Sequence, residues 1–157
     1  MTTLIAANRP EARWFIDNLA WIHVGGDSTD GRYAIVEAVG RAGDMPPLHV
    51  HHREDEVFHV LDGRMTLHMP GETVELETGM TLVAPRGVPH VYRVESETAR
   101  WMVFCEPAGF DAFVLETSEP APVEGLPPSG RAHDVDALAA AGMRHGIELL
   151  GPPGTLP

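Results

Sequence analysis

Short stretches in which apolar and polar residues alternate run along most of the chain and predict β-strands. A period of two is the pattern of a strand with one face in a core and the other in water. Glycine, proline and aspartate separate most of the stretches, as is typical of turns. The predicted strands are residues 18–24, 33–39, 48–52, 56–61, 64–69, 73–77, 80–84, 90–94 and 100–106. Eight or nine short strands at hairpin spacing favour an all-β fold, an antiparallel barrel or sandwich.

The C-terminal part of the chain has a different pattern. Residues 118–130 (SEPAPVEGLPPSG) are rich in proline and have no periodicity, which predicts a linker. A short C-terminal helix follows, with Asp134 as its N-cap and Gly146 at its C-cap. Its predicted apolar face consists of Val135, Leu138, Ala139 and Met143. We therefore expect one domain over residues 1–157, with a core at about 14–116, a linker at about 117–131 and a helix and tail at about 132–157.

The balance of acidic and basic residues excludes some classes of binding partner. The chain carries 11 Lys and Arg against 23 Asp and Glu, a formal net charge of −12. Such a surface repels both the phosphate backbone of nucleic acids and anionic membranes. We therefore expect a small-molecule partner, with neither nucleic acid nor membrane.

Cysteine usage and the apolar runs indicate a compartment. A single cysteine, Cys105, cannot form an internal disulfide, so nothing implies an oxidising environment. Residues 1–15 (MTTLIAANRPEARWF) lack the basic start and long apolar run of a signal peptide, and no run of about 18 apolar residues occurs. The expected location is the cytoplasm.

The stretch LHVHHREDEVFHV, residues 48–60, concentrates the candidate chemistry. It contains four histidines and three acidic residues within an apolar frame. In an extended strand His49 and His51 point to the same face, with Cα atoms about 6.5 Å apart, so both imidazoles can reach one ion. His52 then falls on the opposite face, where a surface position is expected. It remains the substitute ligand if the strand bulges.

The dipeptide Asp62-Gly63 predicts a two-residue hairpin turn between the strands at residues 56–61 and 64–69. In that register Glu56 lies on an apolar face, and a buried carboxylate needs an ionic partner. The apolar face consists of Glu56, Phe58, Val60, Met65, Leu67 and Met69. The opposite, outer face consists of Val57, His59, Thr66 and His68, so His59 and His68 are not expected to be ligands.

A further ligand is available in residues 84–94 (APRGVPHVYRV). Pro85, Gly87 and Pro89 shape a tight loop that places His90 at the start of a strand, and Tyr92 then shares its face. Three neutral imidazoles and one carboxylate suit a divalent transition metal such as iron, nickel, manganese, cobalt or zinc. The predicted metal ligands are His49, His51, Glu56 and His90. Four protein ligands would leave open positions on a five- or six-coordinate ion.

These residues resemble the two motifs of the cupin superfamily. The first motif is Gly43, five residues, His49-Val50-His51, four residues, Glu56, six residues and Gly63. The second is Gly79, five residues, Pro85, one residue, Gly87, two residues and His90. The family often has an asparagine after three further residues, where this chain has Val94. That asparagine is usually not a ligand, so its loss concerns the polarity of the pocket.

The resemblance extends to the single-domain bacterial cupins grouped with quercetin 2,3-dioxygenases, carried by PPLHVHHREDEVFHVLDGRMTLHM, PAGFDAFVLE and HGIELLGPP. It implies an antiparallel β-barrel of the cupin, jelly-roll type, frequent homodimerisation and a metal site of His49, His51, Glu56 and His90. In dioxygenases of that group the metal holds a deprotonated aromatic hydroxyl beside O₂, and the glutamate can act as base. If that role is carried over to this chain, Glu56 is the catalytic base.

Three functions remain open on the sequence. The first is a metal-dependent dioxygenase that acts with O₂ on an aromatic, flavonol- or polyketide-like hydroxylated molecule. The second is a non-redox isomerase, cyclase or lyase that uses the same metal, and the third is a binding module without turnover. The expected substrate pocket consists of Phe58, Met65, Leu67, Met69, Tyr92, Met102 and Phe104.

The remaining polar residues are expected to have ordinary roles. Arg53, Glu54 and Asp55 are interpreted as a solvated turn, and Cys105 as structural. The sequence positions of the other histidines, which are His23, His133 and His145, do not indicate a function for them.

Overall fold

The computed structural model describes residues 9–157, which form twelve β-strands and two short α-helices. The N-terminal strands are β1 Arg13–Phe15, β2 Asn18–Val24, β3 Ala34–Arg41 and β4 Pro47–His51. The central strands are β5 Asp55–Asp62, β6 Arg64–Met69, β7 Glu72–Glu77, β8 Thr81–Ala84, β9 Val91–Val94 and β10 Thr98–Glu106. The C-terminal elements are α1 Phe110–Thr117, β11 Ser118–Pro120, α2 Val135–Arg144 and β12 Ile147–Pro153. A single 3₁₀ turn, Gly26–Ser28, follows β2.

Seven strands form one antiparallel sheet in the order β11-β1-β2-β3-β10-β5-β8. The longest strand, β10, lies between β3 and β5 and pairs with both along most of its length. Its inward positions are apolar, and Trp101, Val103 and Cys105 are all buried. Alternation along β10 therefore sets which side of this sheet faces the core.

The second layer consists of β7-β6-β9 and β12-β4. A β-bridge between His49 and His90 joins the two groups, since the amide of His90 donates to the carbonyl of His49 at 2.9 Å. The main core packs this layer against the seven-stranded sheet through apolar side chains of both, including Phe58, Trp101 and Leu67. Two antiparallel layers of this kind are the jelly-roll arrangement. The predicted all-β fold of jelly-roll type with a short C-terminal helix is confirmed, although the described strands form separate sheets and not a closed barrel.

The hairpin predicted at Asp62-Gly63 is wrong in its pairing. Strand β5 pairs with β10 and β8, whereas β6 pairs with β7 and β9, so the turn carries the chain from one sheet to the other. Gly63 has φ +83°, and a Cβ there would lie 2.4 Å from the carbonyl oxygen of Thr98. The predicted inner and outer faces do not change with the partner strand. Alternation determines to which side of the sheet a residue points, but it does not determine which strand lies beside it.

The C-terminal helix α2 begins where the sequence places it. The side chain of Asp134 accepts a hydrogen bond from the amide of Ala137 at 2.9 Å, and Gly146 follows the helix with φ +76°. The predicted apolar face is partly wrong, because Val135 and Met143 are 52% and 61% exposed. The helix packs instead through small residues, as a Cβ at Gly142 would lie 2.8 Å from the carbonyl oxygen of Ile147.

Two C-terminal strands and helix α1 extend the fold beyond the predicted elements. β12 pairs with β4, the strand that carries His49 and His51, and β11 in the expected linker pairs with β1. Helix α1 packs Phe113 and Val114 into a second core cluster together with Phe15 and Ile147. These segments therefore cover one end of the layered core.

Neither helix in the described part of the chain is long and apolar enough to cross a membrane. The expectation that there is no signal peptide concerns residues 1–15, of which 1–8 lie outside the described residues.

Candidate metal centre

The structure brings together the four side chains that the sequence names as ligands. His49 and His51 come from β4, Glu56 from β5, and His90 immediately precedes β9. One ligand atom from each residue lies within 4.8 Å of those from the other three. His51, Glu56 and His90 are at most 2% exposed. This group, called the His₃Glu cluster below, could hold a metal ion.

Each histidine of the cluster is oriented by a hydrogen bond at Nδ1. Nδ1 of His49 lies 2.8 Å from the carbonyl oxygen of Pro47, and Nδ1 of His90 lies 3.0 Å from that of Val88. Nδ1 of His51 instead faces a carboxylate, Oε1 of Glu54, at 2.7 Å. An N–H at Nδ1 leaves the lone pair at Nε2, so all three imidazoles can donate to a common ion.

The carboxylate of Glu56 closes the cluster. Its Oε2 lies 2.8 Å from Nε2 of His90 and 3.2 Å from Nε2 of His51. Burial by itself would raise the pKa of this carboxyl group, but His51 and His90 lower it to about 2. Glu56 is therefore an anion at neutral pH, as a metal ligand must be.

The imidazoles differ in their affinity for protons. Burial and the neighbouring rings of His90 and His51 lower the pKa of His49 to about 3, so it is neutral. Burial also acts to lower the pKa of His51, yet Glu56 and Glu54 raise it above its ordinary value. A buried carboxylate surrounded by three imidazole nitrogens fits a divalent cation in both charge and donor type.

Glu54 was expected in a solvated turn, and this prediction is wrong. Its side chain is 1% exposed and contacts His51, although Arg53 beside it is exposed. Asp55 is partly exposed and pairs with Arg86 at 3.1 Å. The sequence carries no signal for this difference, because the residue that lies against the carboxylate of Glu54 is Gly109, which is distant in the chain.

Cys105 is fully buried, and its Sγ lies 3.9 Å from Oε1 of Glu56. Burial and the negative charge of Glu56 raise the pKa of this thiol well above its ordinary value. The thiol therefore stays protonated beside the carboxylate.

A cavity of about 240 Å³ opens onto the cluster. This volume lies just below the range of about 300–1,000 Å³ typical of ligand pockets, so the cavity suits a small molecule. His49, His51 and Glu56 form part of its surface. Most of the remaining wall is apolar and consists of Phe15, Ile16, Ala20, Val36, Ala38, Phe58, Trp101, Val103, Phe110, Phe113, Leu138, Ile147 and Leu149.

The structure places only some of the expected pocket residues at this cavity. Phe58 and Tyr92 line it. Met65 and Leu67 are buried in the main core, with Met69 packed against them. Met102 and Phe104 were wrongly assigned to the pocket: they alternate with Trp101, Val103 and Cys105 along β10 and so point outward. Phe104 is 36% exposed and stacks on Tyr33, with ring centroids 5.5 Å apart.

A polar group that is not part of the cluster also lines the cavity. The hydroxyl of Tyr92 donates to Oδ1 of Asn18 at 2.7 Å, and Nδ2 of Asn18 lies 3.4 Å from Oδ2 of Asp44. Asn18 is only 5% exposed. Burial raises the pKa of both Tyr92 and Asp44, so the phenol is neutral. This polar group gives a largely apolar cavity a second point of recognition.

Three histidines of the predicted strands, which are His52, His59 and His68, lie away from the cluster. His52 is exposed and contacts Glu148 at 2.8 Å. His59 and His68 contact threonine hydroxyls, those of Thr81 and Thr73 respectively. These positions place all three outside reach of the cluster.

Sequence reasoning missed several cavity residues that come from distant segments. Asn18 is the first residue of a predicted strand, Asp44 lies in the turn after another, and Phe110 belongs to α1. His133 also lines the cavity and contacts Asp17 at 3.0 Å. None of them has a local pattern that separates it from ordinary turn or helix residues, so only the folded chain identifies them.

Comparisons with known proteins agree with this geometry. Residues 38–105 match the cupin domain family. Over 104 residues, 66% of this chain, the sequence is 30% identical to quercetin 2,3-dioxygenase of Bacillus subtilis (strain 168). The chain spans 31% and 47% of the length of the curated relatives it matches.

Solved structures give the same fold. The polyketide cyclase RemF from Streptomyces resistomycificus has a TM-score of 0.55 at 22% identity, over 83% of this chain and 89% of that one. KdgF from Halomonas sp. has a TM-score of 0.56 at 20% identity, over 62% of this chain and 86% of that one. At these identities the likeness concerns the fold alone. Residues 38–105 thus match the cupin domain family, and the chain resembles the group that includes quercetin 2,3-dioxygenase.

Proposed function

We propose that the protein is a metal-dependent dioxygenase that acts on an aromatic, hydroxylated small molecule of flavonol or polyketide type. The observation that carries the proposal is the apolar, aromatic-lined cavity that opens directly onto the His₃Glu cluster. The 30% identity to a quercetin dioxygenase over 104 residues supports the same substrate class. The proposed ion is a divalent transition metal, and the donor set fits iron, nickel, manganese, cobalt or zinc.

The apolar walls determine which molecule can enter. The rings of Phe58 and Phe110 line the cavity beside the cluster, with centroids 6.1 Å from that of His90 and 5.6 Å from that of His51 respectively. They offer flat apolar surfaces to an aromatic substrate and exclude water from the cluster. A strongly charged sugar phosphate would find no arginine or lysine among the residues that line this cavity.

Glu56 is the proposed base at the inner end of the cavity. A bound divalent ion would act as a Lewis acid that lowers the pKa of a substrate hydroxyl near it. Glu56 is ionised and lines the cavity, so its carboxylate can accept the proton that such a hydroxyl releases. Its buried position keeps that proton away from bulk water.

The test is elemental analysis of the purified protein, followed by O₂ uptake with each candidate metal and a series of flavonols and polyphenols. We expect O₂ consumption that depends on both the metal and the aromatic hydroxyl, with stoichiometric loss of substrate. A protein that binds metal but consumes no O₂ with any of these compounds would contradict the dioxygenase proposal.

A non-redox cyclase, isomerase or lyase is the second candidate, and the Asn18, Tyr92 and Asp44 group favours it. A cyclisation or isomerisation that moves protons at two points of the substrate needs a second polar group, and these hydrogen-bonded side chains supply one. The cyclase RemF shows that this fold is compatible with such a reaction.

Replacing Tyr92 by phenylalanine separates the two candidates. If proton transfer occurs at this end of the cavity, Tyr92→Phe should lower kcat by about 10²–10⁴-fold with metal content unchanged. If the chemistry occurs only at the cluster, the loss of one hydroxyl should raise KM and leave kcat nearly unchanged. Tyr33→Phe, on the outer face against Phe104, is the matched control and should change neither.

Binding without turnover and the formation of a homodimer stay predictions. A binding module would bind the same aromatic compounds without product, which the same assays detect. Analytical ultracentrifugation measures whether the protein forms the expected homodimer.

A further inference from the structure

Glu54 is a buried carboxylate that the proposed reaction does not use. It is 1% exposed, and its Oε1 lies 2.7 Å from Nδ1 of His51. No hydrogen-bond donor within residues 9–157 reaches its other oxygen, Oε2. Because an ionised carboxylate in a protein interior is costly unless it is fully paired, the fold alone gives no reason for a glutamate here.

The contact with Glu54 distinguishes His51 from the other two histidines of the cluster. His49 and His90 direct Nδ1 at the backbone carbonyls of Pro47 and Val88, which are neutral acceptors. A carboxylate acceptor pulls the Nδ1 proton more strongly and so makes Nε2 a stronger electron donor. His51 is therefore the strongest imidazole donor that the cluster can offer an ion.

Helix α1 holds the Glu54–His51 pair in place. The ring of Phe110 packs edge-on against the imidazole of His51, with centroids 5.6 Å apart. Gly109, the residue before α1, approaches so closely that a Cβ there would lie 2.9 Å from Oε2 of Glu54. The start of a helix also favours a nearby negative charge. The absence of a side chain at Gly109 thus leaves room for the carboxylate of Glu54 beside His51.

We propose that Glu54 is a positioning residue of the metal centre, which fixes His51 with Nε2 toward the ion and strengthens that one ligand. Gly109 contributes to this arrangement, because it leaves the space that Glu54 occupies. The inference rests on the proposed metal site and is independent of the proposed substrate and of O₂.

The test measures Co²⁺ binding by the wild-type protein, Glu54→Gln and Gly109→Ala, by chelator competition and visible absorption. Glu54→Gln keeps the shape and removes the charge, whereas Gly109→Ala keeps the charge and displaces the carboxylate. Both variants should bind Co²⁺ about 10–100-fold more weakly and shift its absorption bands. The melting temperature of metal-free Glu54→Gln should not fall, since a costly buried charge is removed.

The matched control is Glu37→Gln. Glu37 is another buried carboxylate, 4% exposed, and it contacts His23 at 2.6 Å and Arg100 at 2.5 Å on the far side of the large sheet. Its loss should lower the melting temperature and leave Co²⁺ affinity and absorption unchanged.

The outcomes separate this inference from the proposed function. If the wild-type protein binds no Co²⁺, both the metal site and the role of Glu54 are overturned. If the wild-type binds Co²⁺ and both site variants bind it within threefold of wild-type, only the role of Glu54 is overturned. An equal loss in Glu37→Gln would also overturn it, since the effect would then be general. If Glu54→Gln does not fold, the Co²⁺ affinity of Gly109→Ala alone tests the role of Glu54.

Discussion

Replacing His90 or His49 by alanine is expected to leave the purified protein without bound divalent metal. Each substitution removes one of four donors and opens the cluster on the side where β4 and β9 meet. The loss should exceed the roughly 10–100-fold effect of losing an outer hydrogen-bond partner, because a direct ligand disappears. Metal content by elemental analysis and Zn²⁺ affinity by competition measure the effect.

His59→Ala is the control for this prediction. His59 lies on β5, three residues from Glu56, but it points to the outer face and contacts Thr81 at 2.8 Å. Its replacement should leave the metal content of the protein unchanged. Normal metal content in the His90 and His49 variants, or a loss of metal in the His59 variant, would show that the ion is held elsewhere.

Replacing Glu56 by glutamine is expected to abolish turnover even when the metal site is saturated. Glutamine keeps the size of the side chain but cannot accept a proton as the carboxylate does. Loss of a positioned base typically lowers kcat by about 10²–10⁴-fold. The metal affinity should also fall, because the anionic donor is replaced by a neutral amide. The measurement is kcat at metal concentrations that restore full occupancy.

Saturation with metal distinguishes the two roles of Glu56. If activity returns to the wild-type value once the ion is bound, Glu56 is a ligand only and another group accepts the proton. Glu148→Gln serves as the control, since Glu148 is partly exposed and contacts His52 outside the cavity. This variant should match the wild-type protein in both affinity and kcat.

The alternation of apolar residues predicted most of the strands correctly but did not predict their partners. Phe58 and Val60 on β5, and Met65 and Leu67 on β6, are buried as their pattern indicates. Their strands belong to different sheets, because the pairing of a strand depends on which distant segment completes its hydrogen bonds. A period of two indicates on which face of the sheet a residue lies, but it carries no information about which strand is the neighbour.

The cavity was less predictable than the ligands. Met102 and Phe104 were expected in it because they are large and apolar, yet they occupy the outward positions of β10. Phe110 was not expected in it, although it packs against His51. Whether an apolar side chain lines a cavity depends on which elements face each other across the core, and this information is absent from a local pattern.

The sequence by itself determined the strand-rich fold class, the capped C-terminal helix and the identity of the four residues of the His₃Glu cluster. Each of these follows from local rules: alternation, capping and the spacing of His49, His51, Glu56 and His90. Only the tertiary structure decided that Glu54 is buried behind His51, that Asn18 meets Tyr92 and that α1 and β12 enclose the cavity. Contacts between residues far apart in the chain arise from packing of the whole molecule, in which a buried position is defined by what covers it.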